Sequence, residues 1–211
     1  LTPREQLAKI GAKAYELRVE ADRIWREELA PKLKDEGVEV LPWDSLKEAE
    51  RNQMDEYFNQ MVKPLLTPLL IDPAPSVAFI SNRSLNLLVV IRVGNEMKLG
   101  RVKVPLETRL VPLEAGRMRF ILLEELIKAN IATLFPGADI VGVHEFRLIR
   151  DADMELRWLE AADLVSSLEH TIHQRRFGDP VLLQLKPDMP ADVRKRLRLM
   201  LALEPEDELE V

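Results

Sequence analysis

Lys63-Pro64-Leu65-Leu66-Thr67-Pro68-Leu69-Leu70-Ile71-Asp72-Pro73-Ala74-Pro75 is the stretch on which the reading of this 211-residue chain turns. Its prolines at 64, 68, 73 and 75 cannot continue a helix, since each lacks a backbone N–H and crowds the turn before it. The leucines and isoleucine between them still demand burial. An ordered, buried crossing is therefore expected, with helix before it. From Phe79 through Val93 and beyond, strands alternate with helices.

Upstream, Thr2-Pro3-Arg4-Glu5 is a helix start: a capping hydroxyl, proline at the first helical position and a carboxylate placed to reach back. Leu7, Ile10, Ala14, Leu17, Ala21, Ile24 and Leu29 then mostly repeat at three- and four-residue steps, which predicts a long helix with one narrow apolar face. Such a stripe suits a core-facing or bundle helix. Pro31 to Gly37 ends the pattern. Val38 to Leu41 alternates like a short strand, and Ser45-Leu46-Lys47-Glu48 offers a second capping box for a helix that stops at Pro64.

Downstream, Ser84 to Val93 reads as a central strand, Gly94-Asn95 as a turn and Leu99 to Val104 as the returning strand. Arg109 to Leu113, Met118 to Leu122, Ile140 to Ile149 and Val181 to Leu185 are further strands. Leu123 to Phe135, Leu159 to Phe177 and a segment opened by Asp188 and Pro190 are helices. The expected fold class is α+β: a long N-terminal helix, then an α/β layered domain with a mixed, largely antiparallel sheet and packed helices. The tail from Glu204 to Glu210 carries five acids and no base, and reads as a solvated segment or a connection.

Composition narrows the function classes. Apolar residues make up 46% and charged residues 31%, as in an ordinary globular chain. A net charge of −6 and only 5% aromatics count against a general nucleic-acid binder. No apolar run reaches the ~20 residues of a membrane span, and no signal peptide opens the chain. Cysteine is absent, which removes disulfides, thiolate nucleophiles and thiolate metal sites. Leu1 in place of methionine suggests a piece of something longer.

Motifs for nucleotide phosphates are missing: there is no Gly-rich loop ending in Gly-Lys-Ser/Thr, no Gly-x-Gly-x-x-Gly and no nucleophile elbow. His170 and His173, beside Glu169, stand three apart on one expected helix. They are read as exposed residues near a helix end, because no third metal ligand has a clear claim; His144 is read as structural or exposed. The arginines say more. Arg147 and Arg150 close a strand just before Asp151-Ala152-Asp153, Arg175-Arg176 closes a helix, and Arg194, Lys195, Arg196 and Arg198 load another. Guanidinium forks match phosphate oxygens. Ion pairing with Asp151 or Asp153 and helix-dipole complement are the plainer alternatives.

Several stretches resemble the polyphosphate kinase family, whose members move the terminal phosphate of ATP onto polyphosphate and can run in reverse. They are Leu66-Thr67-Pro68-Leu69-Leu70-Ile71-Asp72-Pro73, Phe79-Ile80-Ser81-Asn82-Arg83-Ser84-Leu85-Asn86-Leu87, and Leu123-Glu124-Glu125-Leu126-Ile127 leading to Leu134-Phe135-Pro136-Gly137. Phe146-Arg147-Leu148-Ile149-Arg150-Asp151-Ala152-Asp153 and Gln174-Arg175-Arg176-Phe177-Gly178 complete the set. The resemblance implies the last long helix of an N-terminal helical domain (1–36) and a head domain (37–211), with the catalytic C-terminal domains absent. It further implies a non-catalytic part that helps build a homodimer or higher homo-oligomer and borders the polyphosphate tunnel. No catalytic or metal-binding residue is then expected here, and no cofactor in this portion; ATP and magnesium serve the parent enzyme. None of His144, His170 and His173 inherits the phosphorylated histidine's role. Arg147, Arg150, Arg175 and Arg176 are the expected polyphosphate contacts. The partners are the rest of the polyphosphate kinase chain and polyphosphate, with no nucleic acid and no transmembrane segment, in the cytoplasm. The competing reading is an independent α+β module that binds RNA or another polyanion through the same arginines.

Overall fold

The computed structural model describes residues 2–71, 80–105, 109–114, 116–151 and 178–211. The first helix opens as the sequence requires: the Glu5 N–H donates to Thr2 Oγ1 (3.2 Å) and the Thr2 N–H to Glu5 Oε2 (2.8 Å). Helix α1 spans Pro3–Ile24, passes through a π turn at Trp25–Leu29 and runs on as α2, Ala30–Asp35. Pro31 does not end it, although the apolar pattern breaks there. The π turn resets the bonding, with the Ala30 N–H donating to the Trp25 carbonyl, so Pro31 falls in the first turn of a new segment, where a missing N–H costs little. The stop comes at Gly37, whose φ of +78° lets Gly37 and Val38 bond back to the carbonyls of Lys34 and Leu33.

Strand β1 (Glu39–Leu41) follows, then a tight turn at Trp43–Ser45 and helix α3, Glu48–Tyr57. The cap is displaced from its expected place at Ser45. The Ser45 hydroxyl donates to the Pro42 carbonyl, and α3 starts at Lys47, whose N–H donates to Glu50 Oε2 at 2.8 Å. A π turn at Phe58–Val62 and a 3-10 turn at Lys63–Leu65 carry the chain into the proline stretch.

The remaining strands are β2 (Leu69–Ile71), β3 (Leu85–Val93), β4 (Glu96–Lys103), β5 (Leu110–Pro112), β6 (Arg119–Leu122), β7 (Asp139–Arg150), β8 (Pro180–Leu185) and β9 (Glu208–Glu210). Two further helices are α4 (Leu123–Ala129) and α5 (Ala191–Met200). A small sheet has the order β1-β6-β5, and a large one β2-β4-β3-β7-β8-β9. Within the large sheet β8 and β9 pair in parallel and every other described pair is antiparallel. This is the expected α+β fold with a mixed, largely antiparallel sheet.

Period-2 alternation decides what each face of the large sheet carries. Leu85, Leu87, Val89 and Ile91 face one core with Met54 and Phe58 of the α3 region and Leu126 and Ile127 of α4. Leu88 and Val90 face the other, with Phe146, Leu148, Leu183, Leu185 and the α5 residues Val193 and Leu197. β3 is therefore apolar on both sides over residues 87–91, which is why that part reads as an unbroken run. Phe146 is 1% exposed.

The acidic tail is a solvated segment only in part: Glu204 to Glu206 are exposed, and the rest is structured. Glu208–Glu210 forms β9, and Arg194 reaches Glu210 (2.6 Å) while Arg198 reaches Glu208 (3.1 Å). Spaced four apart, the two arginines lie on one side of α5. The helix expected over Leu159 to Phe177 lies outside the described residues. Among the described residues no helix is long and apolar enough to cross a membrane.

A cationic recess as the candidate functional site

The packed core on the α3/α4 side of the large sheet gives way to charge beyond Leu85. There Leu85 pairs with Arg147, and Arg147 pairs with Gln184 across β7 and β8. Glu145, two residues before Arg147, shares its face. Arg18, Leu85, Arg109, Glu145, Arg147, Gln184 and Lys186 line a recess of about 180 Å³, closed also by Phe146 and Val211. It lies where α1 passes the β9 edge.

Ion pairs occupy most of the charged groups. Glu145, 5% exposed, is held by Lys128 through Oε1 and by Lys186 at 3.0 Å through Oε2. Burial pushes the Glu145 carboxyl upward, but Lys128 and Lys186 outweigh it and hold its pKa below the usual carboxylate value. Burial likewise opposes the charge on Lys128, and its bonds to Glu145 and Glu125 win, leaving its pKa raised. Arg109 Nε donates to Glu124 Oε1 at 2.9 Å, and this hydrogen bond raises the arginine's pKa. Glu124 is 1% exposed, and its buried Oε2 has no hydrogen bond among the described residues. Arg18 has Asp22, 3.5 Å away on its own helix. Arg147 is different: among the described residues its guanidinium makes neither an ion pair nor a hydrogen bond, and it is half-buried.

Arg150 faces the other way along the sheet end. It is 5% exposed, with Nε donating to the Ile80 carbonyl (2.7 Å) and Nη1 to the Gly178 carbonyl (2.8 Å), while its backbone N–H meets Asn82 Oδ1 (2.9 Å). Burial lowers its pKa. Arg147 and Arg150 thus leave β7 on opposite faces and share no site. Arg175, Arg176, His170 and His173 lie outside the described residues. His144 is half-buried on the Phe146 side of β7, with Nδ1 out of contact with water and unbonded; burial lowers its pKa, opposed by Asp188. Among the described residues no three His, Asp or Glu side chains converge as a metal site. A larger depression of about 410 Å³ is walled by Asp192, Lys195, Arg196, Leu199 and Met200, all from the α5 segment. One helix cannot aim convergent groups, so the chemistry points to the smaller recess.

Sequence reasoning found Arg147 and missed Arg18, Arg109, Glu124, Lys128, Glu145 and Lys186. The two-residue spacing of Glu145 and Arg147 was a usable signal. The others are brought in by tertiary packing.

A family profile described as the polyphosphate kinase middle domain matches residues 49–211. Among curated proteins, the chain is 40% identical to a polyphosphate kinase of Mycobacterium bovis (strain BCG / Pasteur 1173P2), covering 100% of this chain and 31% of that protein. It is 39% identical to the polyphosphate kinase of Mycobacterium avium (strain 104), with the same coverage. The chain thus spans about a third of the length of these relatives. Among solved structures, that of polyphosphate kinase from Porphyromonas gingivalis superposes with a TM-score of 0.77 over 98% of this chain and 30% of that one, at 19% identity, which speaks for the fold. With most of its length matched by the profile and every segment matched by the curated relatives, the chain belongs to the polyphosphate kinase family.

Proposed function

We propose that this chain is the head portion of a polyphosphate kinase, residues 37–211, preceded over residues 1–36 by the last helix of an N-terminal helical domain. In this reading it is a non-catalytic scaffold. It contributes to a homodimer or higher homo-oligomer and forms part of the wall along which polyphosphate runs. The parent enzyme, a cytoplasmic ATP:polyphosphate phosphotransferase, carries out the transfer with ATP and magnesium bound elsewhere in its chain.

The observation that supports the wall role is Arg147, a half-buried guanidinium that has no counter-ion among the described residues, in a recess otherwise balanced by ion pairs. An unmatched, partly desolvated cation is unfavourable until an anion neutralises it. Arg147 carries the contact; Arg150 serves it by fixing the strand end that follows. Arg175 and Arg176 belong to the same proposal as further contacts.

The test is binding of short-chain polyphosphate by the chain, with Arg147→Gln as the comparison. Binding should weaken in the variant and fall steeply with added salt. ATP-dependent polyphosphate synthesis, or a phosphohistidine formed on this chain alone, would overturn the scaffold reading. RNA that competes on equal terms with polyphosphate would turn the reading to an independent polyanion-binding module.

A further inference from the structure

The recess has walls from three parts of the fold. Arg147, Gln184 and Lys186 come from the large sheet and its β8 end, Arg109 from the chain just before β5, and Arg18 from α1. We infer that it is a clamp for one compact phosphoanion, and that its occupancy ties α1 to the sheet. The inference rests on the reading of Arg147 as a phosphate contact and adds a partner, Arg18, and a consequence.

Four observations carry it. First, Arg147 lacks a counter-ion among the described residues, while the oxygens of its neighbour Glu145 are already taken by Lys128 and Lys186, so the carboxylate does little to repel an anion. Second, Arg18 is free to change partners. Its bond to Asp22 is a half-exposed pair four residues apart on one helix, a class of interaction worth only tenths of a kcal/mol. Third, the volume of about 180 Å³ corresponds to about six water molecules, room for a phosphate or the end of a short phosphate chain. Fourth, among the described residues little else fixes α1: Leu7, Ile10 and Leu17 on its apolar stripe are each more than 60% exposed. A multivalent anion between Arg147 and Arg18, flanked by Lys186 and the Gln184 amide, would supply the bond that apolar packing does not.

The experiment measures amide hydrogen exchange of α1 and calorimetric binding on the 211-residue chain, with inorganic tripolyphosphate as the probe. Tripolyphosphate should slow exchange around Arg18 several-fold. Arg18→Gln should remove that protection while weakening binding by about tenfold, the loss of one charge-assisted bond. Arg147→Gln should abolish both. If Arg147→Gln does not fold, Arg147→Lys keeps the charge without the fork and should bind at least several-fold more weakly. Binding unaffected by either Arg147 variant would overturn the clamp and the polyphosphate-contact reading together. Binding lost on Arg147 substitution, with α1 exchange unmoved by the ligand in the parent chain, would overturn the clamp and leave that reading standing.

Discussion

Arg150 and Gly178 are joined by a 2.8 Å hydrogen bond from Nη1 to the carbonyl oxygen, and the Cβ that Gly178 lacks would lie 2.0 Å from the carbonyl oxygen of Asp151. The Asp151 N–H also donates to the Asp179 carbonyl. The end of β7 and the start of β8 are thus pinched together by a guanidinium on one side and a missing side chain on the other.

Arg150→Lys should destabilise the chain by about 1–3 kcal/mol, because one ammonium cannot span both the Ile80 and Gly178 carbonyls and leaves a buried acceptor unpaired. Gly178→Ala should cost at least as much, since the obstructing atoms are backbone and cannot rotate away. Urea unfolding curves check both. A Gly178→Ala midpoint equal to the parent's would show that the neck is looser than described.

Phe146→Ala should cost on the order of 3–5 kcal/mol. Its ring is 1% exposed in the core between the sheet and α5, paired across the strands with Leu185 and Asn86. The loss should appear in the thermal midpoint.

Glu145→Gln should lower stability at neutral pH by about 1–3 kcal/mol, because it removes one of the two carboxylates that hold the partly buried Lys128 and leaves only Glu125. The folded Glu145 pKa lies below the ordinary 4.5, so its contribution is complete above that pH and is lost as pH falls through the folded value. The gap between parent and variant should therefore close in acid. Unfolding free energies measured at pH 7 and below pH 4.5 test this; a gap that widened in acid would refute the assignment.

His144 should titrate below the usual 6.5, because burial disfavours its charged form. The unfolded chain binds that proton more readily, so His144 makes stability fall as pH drops below 6.5, until the folded imidazole is protonated too. Its ring-proton shift followed by NMR against pH gives the sign directly.

How much of this was legible beforehand differs by level. The strands were, since runs such as Leu87 to Ile91 are apolar on both faces and admit little else. The helix through Pro31 was not, because a π turn is a local change of bonding register with no residue signature in Trp25 to Leu29. Nor was β9, whose acids look solvated until α5 sets Arg194 and Arg198 opposite them. At the site, Arg147 stood out as a strand-end arginine. Its isolation did not, because it depends on Lys128 and Lys186 both choosing Glu145.

The parallel strand β9 has a consequence for how the chain is made. Parallel neighbours cannot be joined by a tight hairpin, and here α5 lies between them. During synthesis the β3–β4 hairpin can zip early, while the outer edge of β8, from Leu183 to Leu185, waits uncovered until the ribosome has released residues through Glu210. That interval leaves a bare edge open to mispairing with other nascent chains, and the carboxylates of Glu208 and Glu210 end it by anchoring the strand to α5.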